Sequence, residues 1–238
     1  TTEVTLNDNL VYAHKNATSF SRKAPDRVGH SMEGQSVTLR VNQAAPEPAS
    51  IALVNDSGAS AEDNISSDGL VQVNGILPGT TWQYSLDYVD ANNATWINGA
   101  DSSFTISPLE GEGTFNVNVR VINDSNGRAT DMLNPVAITI DTVAPVVELI
   151  SADSDVGVVV IKYSEQLGSS MPSSADYDVT RNGVELAVTN INVNGDSIEL
   201  SVDNLEAGPL QVTYTPSENT ITDIAGNAVT EGFTQMIV

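Results

Sequence analysis

Apolar and polar residues alternate along this chain in short runs. Val4-Thr5-Leu6, Ser36–Val41, Leu70–Val73, Trp82–Leu86, Phe115–Val121 and Val136–Ile140 carry the pattern in the first part. Val158–Tyr163, Tyr177–Thr180, Ile198–Val202 and Leu210–Tyr214 continue it. The period is two, the runs are rich in Val, Ile, Thr and Tyr, and Gly, Asn, Asp and Pro separate them, which predicts antiparallel β structure in a sandwich or barrel. No stretch carries a 3.6-residue apolar period. Asn182-Gly183 and Asn194-Gly195 read as tight hairpin turns.

Two punctuation marks divide the runs. Val41–Pro48 and Ile140–Pro145 each end a strand in an Ala-Pro hinge, after which a new strand begins at Ser50–Val54 or Val146–Ile150. Proline cannot donate to a β ladder, so each hinge closes one sheet before the next opens. The expected organisation is a partial β module over 1–45 and two modules at 46–145 and 146–238, each the usual size of a seven-stranded sandwich. The fold class is all-β, with tandem immunoglobulin-like antiparallel sandwiches. In the middle module we expect strands at about 50–54, 69–74, 81–87, 94–97, 102–106, 114–122 and 135–140. Counted up and down, the Asn55–Gly69 loop then lies at the pole where the last strand exits into Asp141. The loops of the next module around Glu165 and over Thr222–Asn227 enter at that same pole. The opposite pole carries Asn123–Asn126 and Asp131.

Composition narrows the function. The chain has 9 Lys+Arg against 31 Asp+Glu, a net charge of −22. Such a surface excludes nucleic acid, whose phosphates need a basic footprint, and disfavours an anionic membrane. The charge is uneven: 1–45 sum to +1, with five bases and both His14 and His30, whereas 46–238 sum to −23. That step supports a boundary near 45. With no cysteine there is no disulfide framework or thiolate metal site. No apolar run approaches a membrane span. Thr1-Thr2-Glu3-Val4-Thr5 does not open a signal peptide, and we expect the chain to be a piece of a longer protein.

The Asn55–Gly69 loop holds Asp56, Glu62, Asp63 and Asp68 with no Lys or Arg among them. Carboxylates about 5 Å apart repel by roughly 1 kcal/mol in a water-like dielectric and by more when partly buried. Such a loop either splays into solvent or gathers around a cation. An oxygen-only donor set suits a hard ion, and calcium takes six to eight such ligands. Asp124 and Asn126 pose the same alternative, since Asn-Asp-Ser-Asn-Gly is also ordinary turn chemistry, as do Asp223 and Asn227 on either side of Gly226. Asp153-Ser154-Asp155 has the spacing of metal ligands, with a solvated turn as the favoured reading. Trp82 is expected in the core, and Trp96 either there or as an exposed anchor. Two scattered histidines do not make a zinc site. Neither GxSxG, HExxH, a phosphate-binding glycine loop nor the calcium-binding glycine-rich nonapeptide occurs, and no enzymatic activity is expected.

Several separated pieces carry a family resemblance. Asp56-Ser57-Gly58, Asp63–Gly69, Leu77–Asp87 and Ile140–Pro145 make residues 51–145 resemble the bacterial immunoglobulin-like repeats of giant calcium-dependent adhesins of the repeats-in-toxin type. Tyr163–Leu167, Tyr177-Asp178-Val179, Val212–Pro216 and Thr222–Ala228 make residues 146–238 similar to the repeat first named in a cyanobacterial swimming-motility protein. Residues 1–45 resemble no family. The resemblance implies sandwiches strung along a secreted or cell-surface bacterial protein, with Ca2+ at or near module junctions and no catalysis. By motif position Asp56, Asp63, Asp68 and Asp141 carry over as ligands, with Asp223 and Asn227 behind them. The stretch from Asn123 to Pro135 is longer than the family pattern. The expected function is a calcium-stiffened spacer of a large adhesin in surface attachment and biofilm growth, monomeric, with neighbouring modules of the same chain as its partners. The alternatives are an adhesive module that itself grips a peptide or glycan, looked for in 1–45 with Tyr12 and Phe20, and an accessory domain of a secreted hydrolase.

Overall fold

The computed structural model describes residues 12–15, 18–21, 46–47, 49–109, 112–217 and 220–237. It is all-β. Strands β1 (Tyr12–Lys15) and β2 (Thr18–Ser21) form an antiparallel hairpin. The predicted runs Val4-Thr5-Leu6 and Ser36–Val41 lie outside the described residues, as does the rest of the N-terminal segment.

The middle module runs β3 (Ser50–Leu53), β4 (Ile65–Ser66), β5 (Leu70–Asn74), β6 (Thr80–Ser85), β7 (Ile97–Asn98), β8 (Ser103–Thr105), β9 (Glu112–Asn123), β10 (Ala129–Asp131) and β11 (Val136–Asp141). One sheet has the order β4-β11-β9-β6-β7, with β10 also on β9; the other is β3-β5-β8. Their inner faces share one core. Alternation puts Val117, Val119 and Val121 of β9 inward, with Val71 and Val73 of β5, Trp82 of β6, Phe104 of β8 and Ile138 and Ile140 of β11. Trp82 is held at both ends of its indole. Its Nε1 donates to the Asp101 carbonyl at 3.1 Å, and a Cβ placed on Gly99 would overlap the ring.

The C-terminal module runs β12 (Val147–Asp153), β13 (Val158–Tyr163), a single 3-10 turn at Ser174–Asp176, β14 (Tyr177–Arg181), β15 (Val184–Leu186), β16 (Val188–Asn194), β17 (Ser197–Val202), β18 (Leu210–Tyr214) and β19 (Phe233–Ile237). Its sheets are β12-β13-β17-β16 and β15-β14-β18-β19. They enclose a second core of Val159, Ile161, Val179, Ile198, Leu200 and Val212, with three buried tyrosines, Tyr163, Tyr177 and Tyr214. The two cores fall on either side of Thr142–Pro145.

Local details depart from the sequence expectation for physical reasons. The Asn182-Gly183 turn is as expected: Arg181 faces Val184, and both loop residues sit at positive φ, 50° and 77°. In the second hairpin Asn194 faces Ser197, so the two-residue loop is Gly195-Asp196, and Gly195 takes the positive φ of 62°. Here glycine, not the preceding asparagine, fixes the register. The pairing is not wholly antiparallel. Within the acidic loop, β4 lies parallel to β11, with Ile65 opposite Thr139 and Ser66 opposite Ile140. The expected strand at 94–97 is instead the short β7. The extra length between Asn123 and Pro135 holds β10, which folds back on β9 beside the start of β11.

Candidate functional site

The site is at the seam between the two cores. Strand β11 delivers Asp141 to the pole of the middle module, directly opposite Glu112 at the start of β9. Like charges facing each other across an antiparallel pair are unfavourable. The loop after β13 brings in Glu165. It is pinned by an isolated bridge between Leu167 and Asp223 and by Gly168 N–H donating to the Thr222 carbonyl at 2.7 Å. A Cβ on Gly168 would crowd the Asp223 carbonyl, so only glycine lets these two loops meet. Asp223 comes from the turn between β18 and β19.

Asp141, Glu165 and Asp223 present carboxylate oxygens that all lie within 4.8 Å of one another. Among the described residues they are the only such group of three or more His, Cys, Asp or Glu. Asp223 is fully buried, and Asp141 keeps 9% exposure. No ion pair among the described residues reaches any of the three. At 4.8 Å and an effective dielectric of about 20, each pair of charges repels by about 3 kcal/mol. Burial, and then the charges of Asp141 and Asp223, push the Glu165 carboxyl up to about 7. The exposed Glu112 adds in the same direction. Near neutral pH the metal-free cluster therefore retains a proton on Glu165, which a hydrogen bond with Asp141 helps to hold.

Asn227 ties the cluster together. Its backbone N–H donates to Asp223 Oδ1 at 2.8 Å, and its Nδ2 donates to Asp223 Oδ2 at 2.7 Å and to the Asp141 carbonyl at 2.8 Å. One amide thus bridges the last strand of the first sandwich and a loop of the second. In this arrangement Asn227 orients the Asp223 carboxylate and ties it to the Asp141 backbone.

The other candidates divide by position. Asp56, Asp63 and Asp68 are at the same pole but do not join the three-carboxylate group. Each accepts a backbone N–H of its own loop: Asn64 to Asp56 Oδ2 at 3.1 Å, Ile65 to Asp63 Oδ1 at 3.0 Å and Leu70 to Asp68 Oδ1 at 3.0 Å. These bonds shape the loop. The second carboxylate oxygen of Asp56, Oδ1, is buried with no hydrogen-bond partner. Asp124 and Asn126 are exposed on the turn between β9 and β10, at the far end of the 12-residue β9 from Glu112. That strand length puts them ~36 Å from the seam. Asn126 Oδ1 accepts from Arg128 N–H at 2.9 Å, as a turn asparagine does. Asp153 accepts from Asp155 N–H in a similar exposed turn. Trp96 is half-buried outside the core, with the Arg120 guanidinium 4.2 Å from its ring centroid and Tyr88 edge-on at 5.9 Å. His30 lies outside the described residues, and His14 is on β1.

Sequence motifs had singled out Asp141, Asp223 and Asn227 but not Glu165 or Glu112 as site residues. The signal for Glu165 was topological, since the strand count placed its loop at this pole. A scan against protein-family models finds no match to this chain, and a search of curated proteins finds none either.

Proposed function

We propose that this chain is a pair of calcium-stiffened spacer modules from a large bacterial surface adhesin, working outside the cell to hold a ligand-binding region away from it. The observation that carries this reading is the partly buried trio Asp141, Glu165 and Asp223, built from both sandwiches at their seam with no Lys or Arg paired to it among the described residues. Three carboxylates gathered without a base cost the apo fold free energy, and a divalent ion reverses the sign of that term. The donors are all oxygen, which selects a hard cation, and the size and flexibility of the calcium shell suit loop-borne ligands. Asp141, Glu165 and Asp223 would hold the ion, and the ion would supply positive charge shared by two modules. Its binding free energy would then resist bending at the hinge. The role is mechanical, and the acidic surface keeps such a rod soluble and self-repelling.

Melting and solution scattering of the whole chain test this reading. If free calcium is about 100 times the dissociation constant, one site adds roughly 2.7 kcal/mol. The expected result is a higher melting temperature and a narrower distribution of interatomic distances in calcium than in chelator. Superimposable curves in the two buffers would remove the proposal.

A further inference from the structure

The acidic loop has a second feature that needs no ion. Its tip, Ser57-Gly58-Ala59, is seated on the Ile224-Ala225-Gly226 turn of the following module. Ser57 Oγ donates to the Ala225 carbonyl at 2.6 Å, and Ala59 N–H donates to the Ile224 carbonyl at 3.0 Å. Gly58 and Gly226 face each other at positive φ, 96° and 95°. A Cβ on Gly58 would overlap the Ile224 carbonyl oxygen and come within 2.7 Å of the Ala225 carbonyl carbon. A Cβ on Gly226 would lie 3.1 Å from Gly58 N. The obstructing atoms are backbone, which cannot swing aside. Ala225 is itself fully buried, so a larger side chain there has nowhere to go.

The tip is also rigidly mounted. Ser57 Oγ contacts Ser66 Oγ and Ser67 Oγ, each at 3.1 Å, and accepts from Ser67 N–H at 2.9 Å. Ser66, fully buried, donates to the Asn55 carbonyl at 2.7 Å and sits on β4. Because β4 pairs with β11, the tip and Asp141 ride on one strand pair. The following module is gripped at two places fixed to that unit, the glycine contact and the Asn227–Asp141 bond.

We propose that Ser57–Gly58–Ala59 is a docking surface that selects which module can follow. Its partner is a following module of the same chain whose turn offers two outward backbone carbonyls and small residues at the positions of Ala225 and Gly226. Recognition is by hydrogen bonds to backbone carbonyls and by size, because a methyl group on Gly58 would overlap the facing turn and one on Gly226 would press on the Gly58 backbone. A module with a bulkier turn would be held off, and its acidic residues would not meet Asp141. Only that last consequence rests on the calcium reading; the docking itself does not.

The test uses the full chain with Gly58→Ala, Gly226→Ala and, as control, Gly79→Ala. Gly79 shares the positive φ, at 81°, but has no atom within 4 Å of an added Cβ. Scattering in chelator reads the docking. Gly58→Ala and Gly226→Ala, on different modules, should each enlarge and broaden the distance distribution, while Gly79→Ala matches the parent chain. Calcium titration reads the coupling, and the two docking variants should need about tenfold more calcium for half-saturation. If both variants scatter like Gly79→Ala, the docking surface is overturned. If they expand while calcium alters neither them nor the parent, the docking surface stands and the ion reading fails.

Discussion

Replacing Glu165 by Gln isolates the electrostatic term at the seam. The amide keeps the size of the carboxyl and its ability to bond with Asp141, but it cannot ionise. In chelator at pH 8 the native chain carries three charges within 4.8 Å; the variant carries two. Each of the two repulsions removed is worth about 1 kcal/mol at bulk-water dielectric and about 3 at an effective dielectric of 20. Glu165 is partly open to solvent, so screening discounts the sum, and we expect a net gain of about 1–3 kcal/mol for Glu165→Gln. For a module of this size that raises the melting temperature by about 4–15 °C. The sign depends on pH. The folded Glu165 carboxyl titrates near 7, above its unfolded value, so the fold binds the extra proton and is favoured below about 4.5. That advantage is lost as pH rises through 7. The parent chain in chelator should therefore lose stability between about pH 5 and pH 8, while Glu165→Gln stays flat, and at pH 5 the two should melt together. Calcium should reverse the order, stabilising the parent more than the variant. Differential scanning calorimetry at pH 5, 6.5 and 8, with and without calcium, reads all of this. A variant that melts at or below the parent in chelator at pH 8 would mean that the three carboxylates do not strain the apo seam.

Further outcomes follow from the same geometry. Calcium binding must release the Glu165 proton, so the apparent affinity should fall by about tenfold for each pH unit below 7, measured by titration calorimetry in two buffers of different ionisation enthalpy. Asp124→Asn, on the exposed turn at the far pole, should leave the calcium-induced melting shift unchanged, whereas Asp141→Asn should abolish most of it. Gly99→Ala drives a methyl group into the Trp82 indole and should destabilise the middle module by about 1–3 kcal/mol, seen as a lower urea midpoint by tryptophan fluorescence. Leu200→Ala, in the second core on β17 rather than on a loop that supplies the cluster, should cost about 2–5 kcal/mol without changing calcium affinity.

Much of the fold was legible because alternation is a direct image of a two-faced strand. Val158–Tyr163 and Leu210–Tyr214 are strands with the very bounds that the pattern marked. What the pattern could not show were pairings with too few residues to alternate. The two residues of β4 sit inside an acidic stretch that reads as loop, and only the edge of β11 makes them a strand. Likewise β10 hides in a segment that looks like an over-long loop, because its partner β9 lies at the end of a hairpin. At the seam, counting strands brought the right loops to one pole, since parity survives an error of a residue or two in any boundary. It could not decide which carboxylates converge. Asp63 and Asp68 each accept an N–H two residues ahead, but so does Asp141, so this local bond does not sort them; what places Asp141 in the cluster is its position at the end of β11 against the following module. Glu165 has no such local partner, and its longer side chain reaches Asp141. The Gly58–Gly226 contact was invisible in sequence, because a glycine reveals a close neighbour only once that neighbour is placed.

Crystals of the chain grown in calcium, with diffraction collected at long wavelength, test the central claim most directly. The account predicts an anomalous peak among Asp141, Glu165 and Asp223, with carboxylate oxygens about 2.3–2.6 Å from it. Asp141, Glu165 and Asp223 turned apart into bulk water, with no peak between them at saturating calcium, would contradict it.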